Sequence, residues 1–170
     1  MKIGILSDTH DRLPTIDRAV ERFNAEAVDL VLHAGDFVSP FTAIPLAKLK
    51  AELHGVFGNN DGDRLYLTER FRSIGTIHAG YYTFEVEGVR GVLMHEPKSI
   101  DALAASGQYD LIVYGHLHEI DLRSEPCAIV NPGEACGYLT DRATIAIFDT
   151  KTRETTLIDL PIPEQGGASD

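Results

Sequence analysis

Short apolar segments alternate with amphipathic helical segments along the first third of the chain, and this alternation restricts the fold more than any other feature. Three apolar runs, at residues 2–7, 28–33 and 52–57, have the length and composition of buried strands. Between them, apolar side chains recur at helical spacing, first from Ile16 to Phe23 and then from Phe41 to Leu49. Because parallel strands need such crossovers, this pattern predicts a parallel sheet covered by helices.

The rest of the chain is richer in strands. Runs 82–86 and 89–94 flank Glu87-Gly88, which is typical of a hairpin. We expect a helix over 97–106 and a buried strand over 111–114. Four further strands are expected around residue 122 and over 128–130, 144–148 and 155–160. The pattern predicts an α/β fold, a four-layer α/β/β/α sandwich of two mixed sheets flanked by helices. We expect one domain over residues 1–163 and a disordered tail over 164–170.

Composition and charge exclude several kinds of partner. The net charge of the 170-residue chain is −11, and the sequence contains no basic cluster. Binding to nucleic acid needs several Lys or Arg contacts with phosphates, so no nucleic-acid partner is expected. No apolar run approaches the ~20 residues of a membrane span, and the N-terminus lacks the hydrophobic region of a signal peptide. We therefore predict a cytoplasmic protein, with Cys127 and Cys136 as reduced structural thiols.

Polar clusters occur at the C-terminal ends of five predicted strands, which is the edge where parallel α/β sheets bind ligands. The candidate metal ligands in these clusters are Asp8, His10, Asp36, Asn59, His95, His116 and His118. Imidazole together with carboxylate suits Mn, Fe, Co, Ni or Zn better than Ca. We expect the pairs 8/10 and 116/118 to lie in extended segments, which would direct both side chains of a pair to one side. Each motif alone is more often a turn or a structural His, but their joint occurrence predicts a metal site.

These motifs resemble those of the calcineurin-like metallophosphoesterase superfamily, whose pattern is DxH, GDxx, a GN motif ending in an acidic residue, a strand-end His, and GHxH. Here they stand as Asp8-Thr9-His10, Gly35-Asp36, Gly58-Asn59-Asn60-Asp61, His95 and Gly115-His116-Leu117-His118. The resemblance covers nearly the whole chain. The compact size and the Asn131-Pro132-Gly133 turn are similar to the small bacterial and archaeal phosphodiesterase branch. The resemblance implies a two-metal phosphodiesterase that hydrolyses a phosphate ester by in-line attack of a metal-bound hydroxide.

The resemblance also implies a role for each position. Asp8, His10, Asp36 and His118 would hold the first metal ion. Asp36, Asn59, His95 and His116 would hold the second, so that Asp36 bridges the two ions. Asp36, Asn59 and His116 would be the catalytic residues. The implied cofactors are two divalent transition metal ions, with Mn as the first choice and Ni, Fe, Co, Zn or Mg as alternatives. The implied partner is a small phosphate-ester substrate, there is no membrane partner, and a homo-oligomer is left open.

The sequence leaves open the roles of several residues near the candidate ligands. Asn60 stands where many relatives have a His that protonates the leaving group, and an amide cannot act as a general acid. Glu96 follows His95 and could bind a His or disfavour anionic substrates. Arg12 could clamp a phosphate or be a solvated residue at the start of a helix. His33 could orient a ligand, whereas we expect His54 and His78 to be surface or structural residues.

Two other functions fit the same residues. The first is a catalytically weak scaffold or binding module on the same fold, like the retromer scaffold subunit, which resembles this family but has an incomplete ligand set. All seven ligand positions are filled here, which favours catalysis. The second is a phosphomonoesterase or nucleotide hydrolase. A DNA nuclease is disfavoured by the charge of −11.

Overall fold

A computed structural model describes residues 1–162 of the chain. Four α-helices are present in this part: α1 (Leu13–Ala25), α2 (Ala43–Leu46), α3 (Arg64–Phe71) and α4 (Ile100–Ala105). The first six strands are β1 (Lys2–Leu6), β2 (Leu30–His33), β3 (Glu52–Val56), β4 (Gly75–His78), β5 (Tyr82–Val86) and β6 (Val89–Leu93). The other five are β7 (Leu111–Val113), β8 (Ile120–Arg123), β9 (Ala128–Pro132), β10 (Ala143–Asp149) and β11 (Thr155–Leu160).

The strands form two mixed sheets. The larger sheet has the order β11-β10-β1-β2-β3-β4, in which β1 to β4 are parallel and β10 is antiparallel to both of its neighbours. The smaller sheet has the order β5-β6-β7-β9-β8, with β6, β7 and β9 parallel and antiparallel strands at both edges. A candidate motif follows the last residue of β1, β2, β3, β6 and β7. In each sheet the motifs therefore lie at the C-terminal ends of the parallel strands.

Three buried clusters separate four layers. The cluster between the sheets contains Ile3 and Leu32 of the larger sheet and Leu111 and Val130 of the smaller one. A second cluster joins the other face of the larger sheet to α1, α2 and α3, and a third joins the smaller sheet to α4. The predicted α/β class, with two mixed sheets flanked by helices, is confirmed.

Local differences from the sequence prediction have physical causes. The helix predicted from Phe41 to Leu49 is a 3-10 turn (Pro40–Thr42) followed by the single turn of α2, because Pro45 lacks the N–H group that would bond to the carbonyl of Phe41 in a continuous helix. The sequence reasoning missed α3 and β4. Only Leu67 and Phe71 of α3 are buried, so its apolar periodicity is too weak to detect.

The predicted C-terminal tail and the expected absence of a membrane span remain to be compared with the structure. The predicted tail over 164–170, and the domain boundary at 163, lie outside the described residues. None of the helices in residues 1–162 combines the length and the apolarity that crossing a bilayer requires.

Candidate metal centre

The loops that follow β1, β2, β6 and β7 are joined by backbone hydrogen bonds. The N–H of Asp8 donates to the carbonyl of Gly35 at 3.0 Å, and the N–H of His10 donates to the carbonyl of Asp36 at 3.1 Å. Within the smaller sheet, the N–H of Gly115 donates to the carbonyl of His95 at 3.0 Å, and across the two sheets the N–H of His116 donates to Asp8 Oδ2 at 3.1 Å. These bonds hold the polar side chains of both sheets at one edge of the sandwich.

All seven predicted ligand side chains meet at this edge, in two groups that share Asp36. In the first group, His118 Nε2 lies 3.5 Å from Asp8 Oδ1, and His10 Nε2 lies 3.5 Å from Asp36 Oδ2.

In the second group, His95 Nε2 lies 3.5 Å from the other oxygen of Asp36, Oδ1. Asn59 Oδ1 lies 2.8 Å from His95 Nε2 and 2.9 Å from His116 Nδ1. Asp36 therefore offers one carboxylate oxygen to each group.

Two buried atoms in the first group have no hydrogen-bond partner among the described residues: Asp8 Oδ1 and His10 Nε2. The Asp8 side chain is fully buried, and this burial raises the pKa of its carboxyl group. Buried polar atoms nearly always have a partner, and this oxygen and nitrogen lie 3.9 Å apart, so both could contact one bound cation. A divalent transition metal ion fits this set of imidazole and carboxylate donors.

The backbone at these residues is left-handed, not extended. The φ angle is 53° at Asp8, 40° at His10, 58° at Asp36, 71° at His116 and 56° at His118. The prediction that the pairs 8/10 and 116/118 lie in extended segments is therefore wrong, because hydrogen bonds to neighbouring loops curl the chain at these positions. Such conformations cost about 1–3 kcal/mol each and cluster at functional sites.

Comparison with known proteins identifies the family. The sequence model described as "Calcineurin-like phosphoesterase superfamily domain" matches residues 1–153. The chain belongs to the calcineurin-like phosphoesterase superfamily. The predicted family and the predicted class of enzyme, a phosphoester hydrolase, are both confirmed at this level.

Individual relatives place the chain more closely within the superfamily. A phosphodiesterase from Methanocaldococcus jannaschii is 41% identical over 159 residues, which cover 91% of this chain and 96% of that protein. A solved structure of a novel archaeal phosphodiesterase is 40% identical, with a TM-score of 0.88 over 94% of this chain and 100% of that one. Vacuolar protein sorting 29 from Cryptosporidium parvum is 17% identical, with a TM-score of 0.65 over 93% and 95% of the two chains. That last similarity shows the fold alone.

Asn60 and Asp61 hold Asp36 and its loop in place in this superfamily member. The backbone N–H of Asn60 donates to Asp36 Oδ1 at 2.9 Å, and its amide Nδ2 donates to Asp36 Oδ2 at 2.8 Å. Asp61 accepts from the N–H groups of Gly58 and Val38, both at 2.7 Å. Burial raises the pKa of Asp61, although these two hydrogen bonds oppose the shift. A Cβ on Gly58 would collide with Asp36 Oδ1, so this position requires glycine.

His33 hydrogen-bonds to the loops around the candidate ligands. Its Nδ1 accepts from the N–H of Gly35 at 3.2 Å, so Nε2 carries the proton and donates to Thr9 Oγ1 at 3.1 Å. Thr9 in turn donates to the carbonyl of Asp36 at 3.2 Å. Burial, and then the nearby imidazoles of His95 and His10, lower the pKa of His33 well below its usual value. A neutral ring suits this chain of hydrogen bonds.

Glu134 is the residue that sequence reasoning missed. Its Oε2 lies 2.7 Å from His118 Nδ1 and accepts from Cys136 Sγ at 3.1 Å. Burial disfavours the charge of Glu134, but the hydrogen bonds from His118, Cys136 and Thr140 outweigh burial and lower its pKa to about 2. The one local signal was the Asn131-Pro132-Gly133 turn just before it.

Both cysteines are free and buried. The Cys136 sulfur, which burial keeps protonated by raising its pKa, lies in a group of possible ligand atoms with His10 and His118, all within 4.8 Å of one another. No local sequence pattern predicts that this cysteine lies beside the candidate centre.

Arg12 and Glu96, whose roles the sequence leaves open, both have protein partners in the structure. Arg12 Nη1 donates to the carbonyls of Cys136 and Gly137, and its guanidinium lies 4.9 Å from the centre of the Tyr138 ring. Arg12 thus ties the start of α1 to the loop that carries Glu134. Glu96 forms an exposed ion pair with Lys98 at 2.8 Å, and this hydrogen bond lowers its pKa.

Proposed function

We propose that this protein is a two-metal phosphodiesterase, with the first ion held by Asp8, His10, Asp36 and His118 and the second by Asp36, Asn59, His95 and His116. The observation that carries this proposal is the position of Asp36, whose two oxygens each lie 3.5 Å from a ring nitrogen of a different group. The unpaired Asp8 Oδ1 and His10 Nε2 support it, since both face the first group. We propose Mn²⁺ as the native ion, as the family resemblance implies, and the carboxylate ligands suit it.

When bound, the two ions would supply Lewis-acid stabilisation of the phosphoryl oxygens and would lower the pKa of the attacking water. The residues of the chain hold the candidate ligand side chains in position. Asn60 holds both oxygens of Asp36, and Asn59 bridges His95 and His116. Because Asn60 cannot donate a proton as a general acid, the fastest substrates should be those whose leaving group needs no protonation.

The surroundings of the centre favour a small diester. A cavity of about 270 Å³ adjoins the second group and is lined by Asn59, His95, Phe57 and Tyr81. This volume lies just below the usual range for ligand pockets, so it would accept one organic group of a diester. The net charge of −11 also disfavours nucleic acid. We propose that the enzyme acts in the cytoplasm, where its two buried thiols would stay reduced.

The test is a matrix of metals and substrates applied to purified protein and to two matched variants. We expect Mn²⁺ to support hydrolysis of bis(p-nitrophenyl) phosphate. Asp36→Ala, which removes the shared carboxylate, should reduce the rate by at least ~10³-fold. Asp110→Ala is the control, because it removes a carboxylate that pairs with Arg90 at the opposite end of β7.

The alternatives predict different results in the same matrix. A phosphomonoesterase would hydrolyse p-nitrophenyl phosphate and leave the diester intact. A scaffold or binding module would show neither bound metal nor turnover. Equal activity of Asp36→Ala and Asp110→Ala would contradict the assigned role of Asp36.

A further inference from the structure

The buried carboxylate of Glu134 contacts the candidate ligand His118 from outside the centre. Its side chain is completely buried and its Oε2 lies 2.7 Å from His118 Nδ1. The opposite nitrogen of that ring, Nε2, lies 3.5 Å from Asp8 Oδ1 inside the centre. His118 therefore has one nitrogen facing Glu134 and the other facing the candidate metal.

We propose that Glu134 is a positioning residue that holds His118 in the tautomer with its proton on Nδ1, leaving the Nε2 lone pair free for a metal ion. This inference rests on the proposed metal-binding role of His118. It adds a residue to the site that none of the five motifs contains. Metal-binding imidazoles commonly donate their other N–H to a carboxylate, which fixes the ring and makes it a stronger ligand.

The contacts of Glu134 decide the direction of this hydrogen bond. Oε1 accepts from the backbone N–H groups of Leu139 and Thr140, at 2.9 and 2.7 Å, and from Thr140 Oγ1 at 2.7 Å. Backbone N–H groups can only donate, so Oε1 must be an acceptor. Oε2 accepts from Cys136 Sγ. A lone pair on His118 Nδ1 would face this acceptor oxygen at 2.7 Å, which would be repulsive, so Nδ1 must carry the proton.

The same contacts make Glu134→Gln a discriminating variant. The three donors at Oε1 would retain the carbonyl oxygen of glutamine at that position, which places the amide NH₂ at the position of Oε2. The NH₂ would donate to His118 Nδ1 and force the ring proton to Nε2. That proton would point at Asp8 Oδ1 and occupy the lone pair that a metal ion needs.

The experiment measures the tautomer first, without metal or substrate. Ring ¹⁵N chemical shifts of His118 in metal-free protein, assigned with a His118→Ala variant, should show Nδ1–H in the wild type and Nε2–H in Glu134→Gln. Affinity for Mn²⁺, measured by calorimetry, should fall about 10–100-fold in Glu134→Gln. Thr140→Val is the matched control: it removes one donor to Oε1, leaves the contact between Oε2 and His118, and should change neither the tautomer nor the affinity.

The outcomes separate this inference from the proposed function. An Nε2–H tautomer in the wild type would overturn the role of Glu134, and this result does not depend on whether Glu134→Gln folds. Mn²⁺ affinity within twofold of the wild type in a folded Glu134→Gln protein would also overturn it. A wild type that shows the Nδ1–H tautomer but binds no Mn²⁺ would instead contradict the two-metal proposal.

Discussion

The molecule contains two groups of histidines, and they differ in what surrounds them. His54 on β3 and His78 on β4 lie side by side, with Nδ1 of the first 3.1 Å from Nε2 of the second. The remaining nitrogen of His54 lies 3.1 Å from Glu52 Oε1, and the ring of Tyr82 stacks on both imidazoles at 4.5 and 4.0 Å. We call these four residues the edge cluster. It is an aromatic contact between neighbouring strands of the two sheets.

The candidate centre has the same kind of side chain in a different setting. Its histidines lie in loops, three of them with left-handed backbone, whereas His54 and His78 lie in regular strands. Buried aspartates face its rings, and His10 Nε2 has no hydrogen-bond partner among the described residues. The comparison teaches that strain and unpaired atoms, and not the number of imidazoles, distinguish a site prepared for a ligand from a packed cluster.

The largest expected effect comes from exchanging one histidine in each group for alanine. His118→Ala should reduce kcat/KM for an aryl phosphodiester by roughly 10³-fold, because the first ion loses a ligand. His54→Ala should change kcat/KM by less than about twofold, since its contacts lie within the edge cluster. Steady-state kinetics with saturating Mn²⁺ measures both. A comparable loss in His54→Ala would break the distinction between the groups.

A smaller effect is expected on stability. Mn²⁺ at about 100 times the Kd of the first site should stabilise the folded protein by about 2.7 kcal/mol through that site, which for a chain of this size raises Tm by roughly 5–10 °C. Asp8→Asn should abolish most of this rise, since it removes the buried charge that faces the first group. The metal-free variant should be at least as stable as the metal-free wild type, because its amide can donate towards His118 Nε2.

Thermal unfolding with Mn²⁺ and with a chelator measures these shifts. His54→Ala serves as the control and should keep the full metal-dependent rise in Tm. If Asp8→Asn gains as much stability from Mn²⁺ as the wild type, Asp8 is not a ligand.

The sequence predicted where the site lies but not how the chain turns there. The apolar runs at residues 2–7, 28–33 and 52–57 predict strands that end within one residue of the observed ends at Leu6, His33 and Val56, since burial imposes a visible apolar pattern. The left-handed backbone at Asp8 and His116 depends on other loops: the N–H of Asp8 bonds to Gly35, and the N–H of His116 bonds to Asp8 Oδ2 at 3.1 Å. These partners are far apart in the sequence, so no local pattern encodes them.

Glu134 likewise could not be recognised as a site residue from the sequence. Sixteen positions separate it from His118, and the antiparallel pairing of β8 with β9, in which Ile120 is opposite Pro132, brings the residues before β8 beside those after β9. In the sequence it looks like an ordinary acidic residue after a turn. The two groups of histidines also differ mainly in their tertiary contacts. A single sequence does not show these contacts.

The smallest expected effect tests the edge cluster through its dependence on pH. Burial, and then the imidazole of His54, lower the pKa of His78 below its usual value; Glu52 and Tyr82 are the other titratable groups of the cluster. The unfolded chain takes up a proton at His78 near pH 6.5, but the folded chain takes it up only at lower pH. Folding stability should therefore fall as the pH drops from about 7.5 through about 6.5.

Urea unfolding of metal-free wild type and His78→Gln at about pH 7.5 and about pH 5.5 isolates this contribution. The buried His33 also has a lowered pKa and adds its own dependence, so the informative quantity is the difference between the two proteins. His78→Gln should lose less stability at the acidic pH than the wild type, because it cannot be protonated at this position. An identical loss in both proteins would mean that the edge cluster does not resist protonation, and the contrast between the two histidine groups would then rest on the candidate centre alone.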